Sequence, residues 1–286
     1  MRMIIEHKLI ILPLLILFLF FFMFSPSFTK VKVLGYQSIR NFYIYQFDTK
    51  TNDYEEITSN HFKVKYKGNP DNAELVLETS EEIFKEVTGK LNFTPKSQTP
   101  IIIYPTMQDF NASFGWEGDK SPMGVYWMGS IGILSPETWI EKEDKEQIFK
   151  DMGPIAHEYT HYIVDYKTNG NYTRWFTEGL AQYIEEDVTG YTLPEPCAQD
   201  KKHIYSFSCL DKNYDNQENQ DLAYWQSLMG IRYLVDSHDE TIINQLLDEL
   251  ALGNNFASSF KKVTGESLTS FESNLKKYIK QQEICN

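Results

Sequence analysis

Two histidines, a glutamate between them and a second glutamate seventeen positions further on are the residues of this 286-residue chain whose spacing suits chemistry. Ala156-His157-Glu158-Tyr159-Thr160-His161 is an HExxH motif. On a helix turning about 100° per residue, His157 at 0° places His161 at about 40° and Glu158 at about 100°. Both imidazoles then reach one metal ion from the same face, and the carboxylate stands beside it, within reach of a metal-bound water. Ile155, Tyr159, Tyr162 and Ile163 supply the apolar positions of such a helix, and Asn169-Gly170-Asn171 supplies a stop signal. The competing reading is two ordinary surface or core histidines.

The second glutamate decides between them. Trp175-Phe176-Thr177-Glu178-Gly179-Leu180-Ala181-Gln182-Tyr183 reads as another helix, beyond the Asn169-Gly170 break. Two helices joined by a short connection pack antiparallel, which returns Glu178 to the histidines. Gly179 and Ala181 are small enough to permit close helix approach. Two His and one Glu leave the fourth position of a tetrahedral zinc to water, the pattern of a catalytic site, whereas a structural zinc takes four protein ligands, usually including Cys. The predicted ligands of one Zn2+ per chain are therefore His157, His161 and Glu178. Glu158 is placed to take a proton from a water whose pKa zinc lowers to about 7, and to return it to a leaving amine. Asp165, one turn beyond His161, reads either as a group orienting an imidazole or as an ordinary solvated carboxylate.

The elements that must position these residues alternate strand and helix signals first and turn helical later. His61 to Tyr66 alternates polar and apolar, a half-buried strand, and Ala73 to Leu91 has helical apolar spacing. Ile101 to Tyr104 is a short apolar run between Pro100 and Pro105, a buried strand. Val125–Met128 and Ile131–Leu134 read as a hairpin with Gly129-Ser130 at its turn. From about Lys145 the pattern is helical nearly to the end, with Leu268, Phe271, Leu275 and Tyr278 striping the last helix. The fold class is α+β: residues 59–144 form an α/β part and residues 145–286 a helical part, with a cleft between them as the natural site.

HEYTH followed by WFTEGLAQY resembles the gluzincin metallopeptidases, specifically the compact peptidase MA-like domains related to thermolysin and the zinc aminopeptidases. The HFKVKY strand, the IIIYPTMQDF segment, the hairpin and the AYWQSLMGIRYLV helix follow in the expected order. The resemblance covers roughly residues 60–280 and is strongest over 155–185. It implies a zincin-like mixed sheet whose edge strand pairs with an extended substrate, with 124–134 as the matching segment. It implies His157, His161 and Glu178 as zinc ligands, Glu158 as general base and, where such families tend to put a Tyr, Tyr224 as the donor to the oxyanion. Tyr224 is one of 18 tyrosines and reads equally as a packing residue, with His203 as the alternative donor. No aminopeptidase-type motif marks 124–134, so the implied activity is that of an endopeptidase on peptide or protein substrates. The other reading is a catalytically idle zinc-binding module that senses a peptide or cell-envelope partner. The presence of Glu158 favours catalysis, because a pure binding module has no need of a base beside the metal.

Composition bounds the rest. With 27 basic and 40 acidic residues the formal charge is −13, which argues against nucleic acid as a partner. Three cysteines are too few for a disulfide scaffold. Cys197 and Cys209 read as either a disulfide or free thiols, inside a long polar stretch from Glu185 to Leu222 that has little periodicity. Asp211 to Asp215 starts like a calcium loop but lacks its glycine and its final glutamate. Leu9 to Phe24 is an unbroken apolar run, and no charge falls between Lys8 and Lys30, enough to cross a bilayer of about 30 Å. Residues 1–29 are thus expected to be an uncleaved single-pass anchor, with the catalytic domain outside the membrane and residues 30–58 as a juxtamembrane segment. A cleaved signal, which would make the enzyme secreted, is the second reading, and a buried core helix the third. An uncleaved anchor predicts a protein that resists alkaline carbonate extraction; a mature N-terminus near Phe28 would establish a released enzyme instead.

Overall fold

The computed structural model describes residues 26–117, 122–141 and 144–282. The apolar run expected to be an anchor, Leu9–Phe24, lies outside the described residues. Among those described, no helix is long and apolar enough to cross a membrane.

The stretch before Asn60, which the sequence marks only as a short connecting segment, holds a helix, α1 (Pro26–Lys50), and a strand, β1 (Glu55–Thr58). Then come β2 (Phe62–Tyr66), α2 (Pro70–Lys90), β3 (Thr99–Tyr104), α3 (Met107–Phe114), β4 (Gly124–Trp127) and β5 (Ser130–Leu134). The five strands form one mixed sheet in the order β1-β2-β3-β5-β4. β3 is parallel to both its neighbours, while β1 and β4 pair antiparallel at the two edges. Helices follow: α4 (Lys145–Met152), α5 (Ile155–Thr168), α6 (Arg174–Thr189), α7 (Phe207–Asn213), α8 (Gln220–His238), α9 (Thr241–Ala251), α10 (Phe256–Thr264) and α11 (Leu268–Gln282). This is the α+β arrangement expected, a small sheet followed by a mostly helical half.

Strand alternation explains how the sheet serves two cores. Phe62, Val64, Ile101, Ile103, Ile131 and Ile133 face the large core, which they share with α2, α5, α6 and α8 through residues such as Val76, Tyr159, Phe176 and Leu222. Ile102, Tyr104 and Leu134 point the other way, into a smaller cluster closed by Phe47 of α1 and Phe110 of α3. On α11 the fully buried line is Phe271, Leu275 and Ile279, with Leu268 and Tyr278 packed beside it.

Two readings of the sequence are corrected. The hairpin turn is Met128-Gly129, not Gly129-Ser130: both turn residues have positive φ (44° and 94°), and Ser130 already pairs with Trp127 in the ladder. A two-residue turn with positive φ at both positions matches the twist of its strands, and glycine takes the second position without strain. The polar stretch after Glu185 is not a plain loop. It completes α6, holds a short 3-10 turn at Asp200–His203 and then forms α7, which Ser206 caps by accepting from Cys209 N–H.

Gly179 does permit close approach, but to α8 rather than to α5. A Cβ there would lie 2.2 Å from the Ser227 carbonyl oxygen. Gly179→Ala is therefore expected to lower stability by about 1–3 kcal/mol in urea denaturation, despite the better helix propensity of alanine. Gly89, on the exposed side of α2 with nothing within 4 Å, should gain up to about 1 kcal/mol from the same change.

Candidate metal and catalytic centre

α5 begins where Gly153 and Pro154 turn the chain, and the Glu158 N–H bonds the Pro154 carbonyl at 2.9 Å. It ends at Asn169, which adopts the left-handed conformation with φ 54°, followed by Gly170. The predicted stop signal is thus the real one, and the chain reverses into α6 within a few residues. The reversal brings Glu178 against the histidines. His157 Nε2 and His161 Nε2 are 3.1 Å apart, and Glu178 Oε2 lies 3.4 and 3.5 Å from them.

The fit to a metal follows from this triangle. Ligands at 2.0–2.1 Å around a tetrahedral zinc stand about 3.3–3.4 Å apart, close to these three separations. The three residues are also the one group among the described residues whose His, Cys, Asp or Glu atoms converge closely enough to hold an ion. Glu178 Oε2 is buried with no hydrogen-bond partner, an arrangement that is costly unless something positive fills the gap. Its other oxygen, Oε1, takes Arg174 Nη2 at 3.1 Å.

Each imidazole is fixed from behind. His161 Nδ1 lies 2.8 Å from Thr177 Oγ1. His157 Nδ1 lies 3.2 Å from Glu185 Oε2 and 3.0 Å from the Gln182 amide. With the Nδ1 proton given to Thr177 Oγ1 at His161 and to Glu185 Oε2 at His157, both Nε2 lone pairs aim at the gap, which is how partners behind an imidazole set its tautomer. Thr177, Gln182 and Glu185 were not singled out from the sequence. The signal was there: at about 100° per residue, Gln182 and Glu185 fall within about 40° of Glu178 on the helical wheel.

Asp165 does neither job expected of it. It is fully buried and faces away from the imidazoles, accepting Arg40 Nη1 at 2.6 Å, the Tyr36 hydroxyl and the Tyr172 hydroxyl at 3.5 Å. The sequence could not show that a residue 125 positions upstream supplies its counter-charge.

Glu158 is buried beside the trio and accepts the Tyr126 N–H at 2.5 Å. Burial raises its carboxyl above the ordinary range and Glu178 adds to this, while His157, His161 and the Tyr126 N–H pull the other way. Glu178 shows the reverse outcome: burial pushes it up, but the nearby His161 and Arg174 hold it well below the usual range. The two carboxylates are thus driven apart, one toward a stronger hold on a proton, the other toward a charged carboxylate.

The Tyr126 contact comes from the edge of the sheet. Leu134 N–H bonds Met123 O at 2.9 Å, and Trp127 pairs with Ser130 across the turn. In an antiparallel ladder these rungs alternate, so Val125 and Trp127 turn their backbone groups to β5 while Gly124 and Tyr126 turn theirs outward. Of the expected 124–134 segment, only β4 is edge; β5 lies inside the sheet. A Cβ on Gly124 would lie 2.6 Å from Pro154 and 3.0 Å from Glu158 Cγ, so glycine is what lets the edge approach the base.

Tyr224, near the start of α8, lies where the charges of Glu178 and Glu158 act on it. The charge of Glu178 is the largest influence raising its phenol, followed by burial, with Glu158 adding. Its ring stands edge-on to Tyr214. His203 instead sits exposed in the Asp200–His203 turn. Cys197 and Cys209 are free thiols rather than a disulfide, the first beside Asp200 and the second beside Gln217. The calcium-like stretch is largely helical, and burial raises the Asp211 carboxyl while the backbone N–H groups of Trp175 and Arg174 at the start of α6 pull it down.

The sequence pattern that defines the Peptidase MA superfamily matches residues 84–281, most of the chain and all of this site. The chain belongs to the Peptidase MA superfamily. The uncharacterized protein YhcO of Bacillus subtilis (strain 168) is 26% identical over 208 residues, 68% of this chain. The match spans 62% of that relative's length, so the chain covers less than two thirds of it. Superfamily membership makes this a peptidase-like module of a usually metal-dependent kind. If the trio holds zinc, the purified protein binds about one equivalent, His157→Ala, His161→Ala and Glu178→Ala each lower it, and Glu185→Gln weakens affinity on the order of 10–100-fold.

Proposed function

We propose that this protein is a zinc-dependent endopeptidase acting on extended peptide segments. The observation that carries the reading is the triangle of His157 Nε2, His161 Nε2 and Glu178 Oε2 with the Glu158 carboxylate held beside it by Tyr126. Zinc bound by those three residues supplies Lewis acidity and lowers the pKa of a water molecule to about 7. Glu158 accepts the proton of the attacking water and passes it to the departing amine, roles suited to a carboxyl whose proton affinity burial has raised.

Tyr224 serves as hydrogen-bond donor to the oxygen that gains charge in the transition state. Its hydroxyl has no hydrogen-bond partner among the described residues, which leaves the donor available. Gly124 and the Tyr126 carbonyl, turned outward from β4, offer an extended peptide the backbone partners of an added strand. The apolar run Leu9–Phe24 holds the enzyme to a membrane with the domain outside it.

The test separates metal binding from chemistry. Glu158→Gln is expected to keep the fold and the zinc while peptide turnover falls by about 10²–10⁴-fold. Tyr224→Phe should lower kcat with little change in KM, because the oxyanion exists only past the ground state. A wild type that cleaves nothing in a broad peptide library, with a Glu158→Gln variant that still binds the natural partner, would establish the idle binding module instead.

A further inference from the structure

α1 lies before the region matched by the superfamily pattern, yet it is bolted to both halves of the proposed site. One set of contacts reaches the far end of α5, the helix that carries His157, Glu158 and His161. Arg40 and Tyr36 close on Asp165, the Arg40 guanidinium lies 3.7 Å over the Tyr166 ring, and Gln37 Nε2 donates to Asn169 Oδ1 at 2.8 Å. The Tyr36 ring fills the space over Gly170, where a Cβ would lie 2.2 Å from it.

The second set reaches the β4–β5 turn. Ile44 and Arg40 cover Gly129 so closely that a Cβ there would meet them at 2.7 and 2.9 Å. The Tyr36 hydroxyl lies 3.7 Å from Met128 Sδ, and the Tyr43 ring stands edge-on to Trp127. From this turn the chain runs directly to Tyr126, whose N–H holds Glu158, whose hydroxyl accepts the Gly129 N–H at 2.9 Å and whose ring packs on Tyr162 of α5. Arg40 therefore sits where one side chain touches both the helix that carries the ligands and base and the turn of the strand that holds the base.

We infer that α1 is a positioning element of the active site and Arg40 its central positioning residue. It fixes the register of the β4 edge against α5, and with it the lane for substrate and the seat of Glu158. A buried Arg–Asp pair adds little net stability over well-packed apolar residues, but its directional hydrogen bonds specify one register, and removing the arginine strands the Asp165 charge at 0% exposure. Release of the domain by a cut that removes α1 accordingly yields an impaired enzyme, so full activity stays with the form that retains this helix. The inference rests on the peptidase reading for its kinetic consequence but has a structural readout of its own.

The experiment compares full-length wild type with Arg40→Gln, Arg40→Lys, Tyr36→Phe and, on the opposite, exposed face of α1, Phe42→Ser. Arg40→Gln should keep its zinc, while kcat/KM on peptide falls on the order of tenfold to a hundredfold, mostly through KM. Hydrogen exchange should quicken in residues 124–130. Arg40→Lys should recover most of the loss, Tyr36→Phe should show a smaller loss in the same direction, and Phe42→Ser should match wild type. A folded Arg40→Gln protein with unchanged KM and unchanged exchange at 124–130 overturns the inference. If Arg40→Gln does not fold, Tyr36→Phe decides by the same two readouts. If wild type cleaves no peptide, the proposed function falls on its own, and the exchange of residues 124–130 alone upholds or overturns the role of Arg40.

Discussion

Three lone-pair atoms held within 3.5 Å of one another in a buried place are an unfavourable arrangement, and the surrounding structure is organised to enforce it. Left to themselves, an unpartnered carboxylate oxygen and two imidazole nitrogens would turn toward water or toward separate donors. Here Thr177, Gln182 and Glu185 occupy the far side of each imidazole, and Arg174 takes the other oxygen of Glu178, so rotation offers nothing better. The same helix that supplies Glu178 supplies these supports. α6 in turn is pressed against α8 through Gly179, whose missing side chain lets the backbones touch and sets Tyr224 where the charges of Glu178 and Glu158 raise its phenol.

Glu158 is governed by a different layer. It hangs between α5 and the sheet edge, and among the described residues its one backbone donor comes from β4, an edge strand just four residues long. A short edge strand is a poor anchor by itself. Its stability is borrowed: Gly124 packs on Pro154, Tyr126 leans on Tyr162, and α1 closes over the turn. The superfamily pattern covers His157, Glu158, His161, Glu178 and the edge strand, and α1 lies before it.

Much of this was legible in the residues. Helix α5 announces itself by its apolar spacing and by Asn169-Gly170, and the return of α6 follows from the short connection between them, so the convergence of His157, His161 and Glu178 beside Glu158 is legible in the local pattern. The alternation of Phe62, Val64 and Tyr66, and the apolar run of β3, likewise place the sheet strands. The segment after Glu185 was less readable, because short helices such as α7 carry too few turns to show a period. The hairpin turn was misplaced by one residue because both registers put Gly129 in the turn, and only the pairing of Trp127 with Ser130 separates them.

What the sequence by itself determined is therefore local: which helices bear His157, Glu158, His161 and Glu178, and the α+β order of elements. The tertiary structure alone decided everything that depends on contact across long separations. It set Asp165 against Arg40 and Tyr36 instead of against an imidazole, kept Cys197 and Cys209 apart, and made β4 rather than the whole hairpin the free edge. The physical reason is common to these cases. Helical and strand periods fix the direction of a side chain relative to its own backbone, but the partner it meets there depends on how distant elements pack, and burial then selects the one arrangement in which each charge has its counterpart.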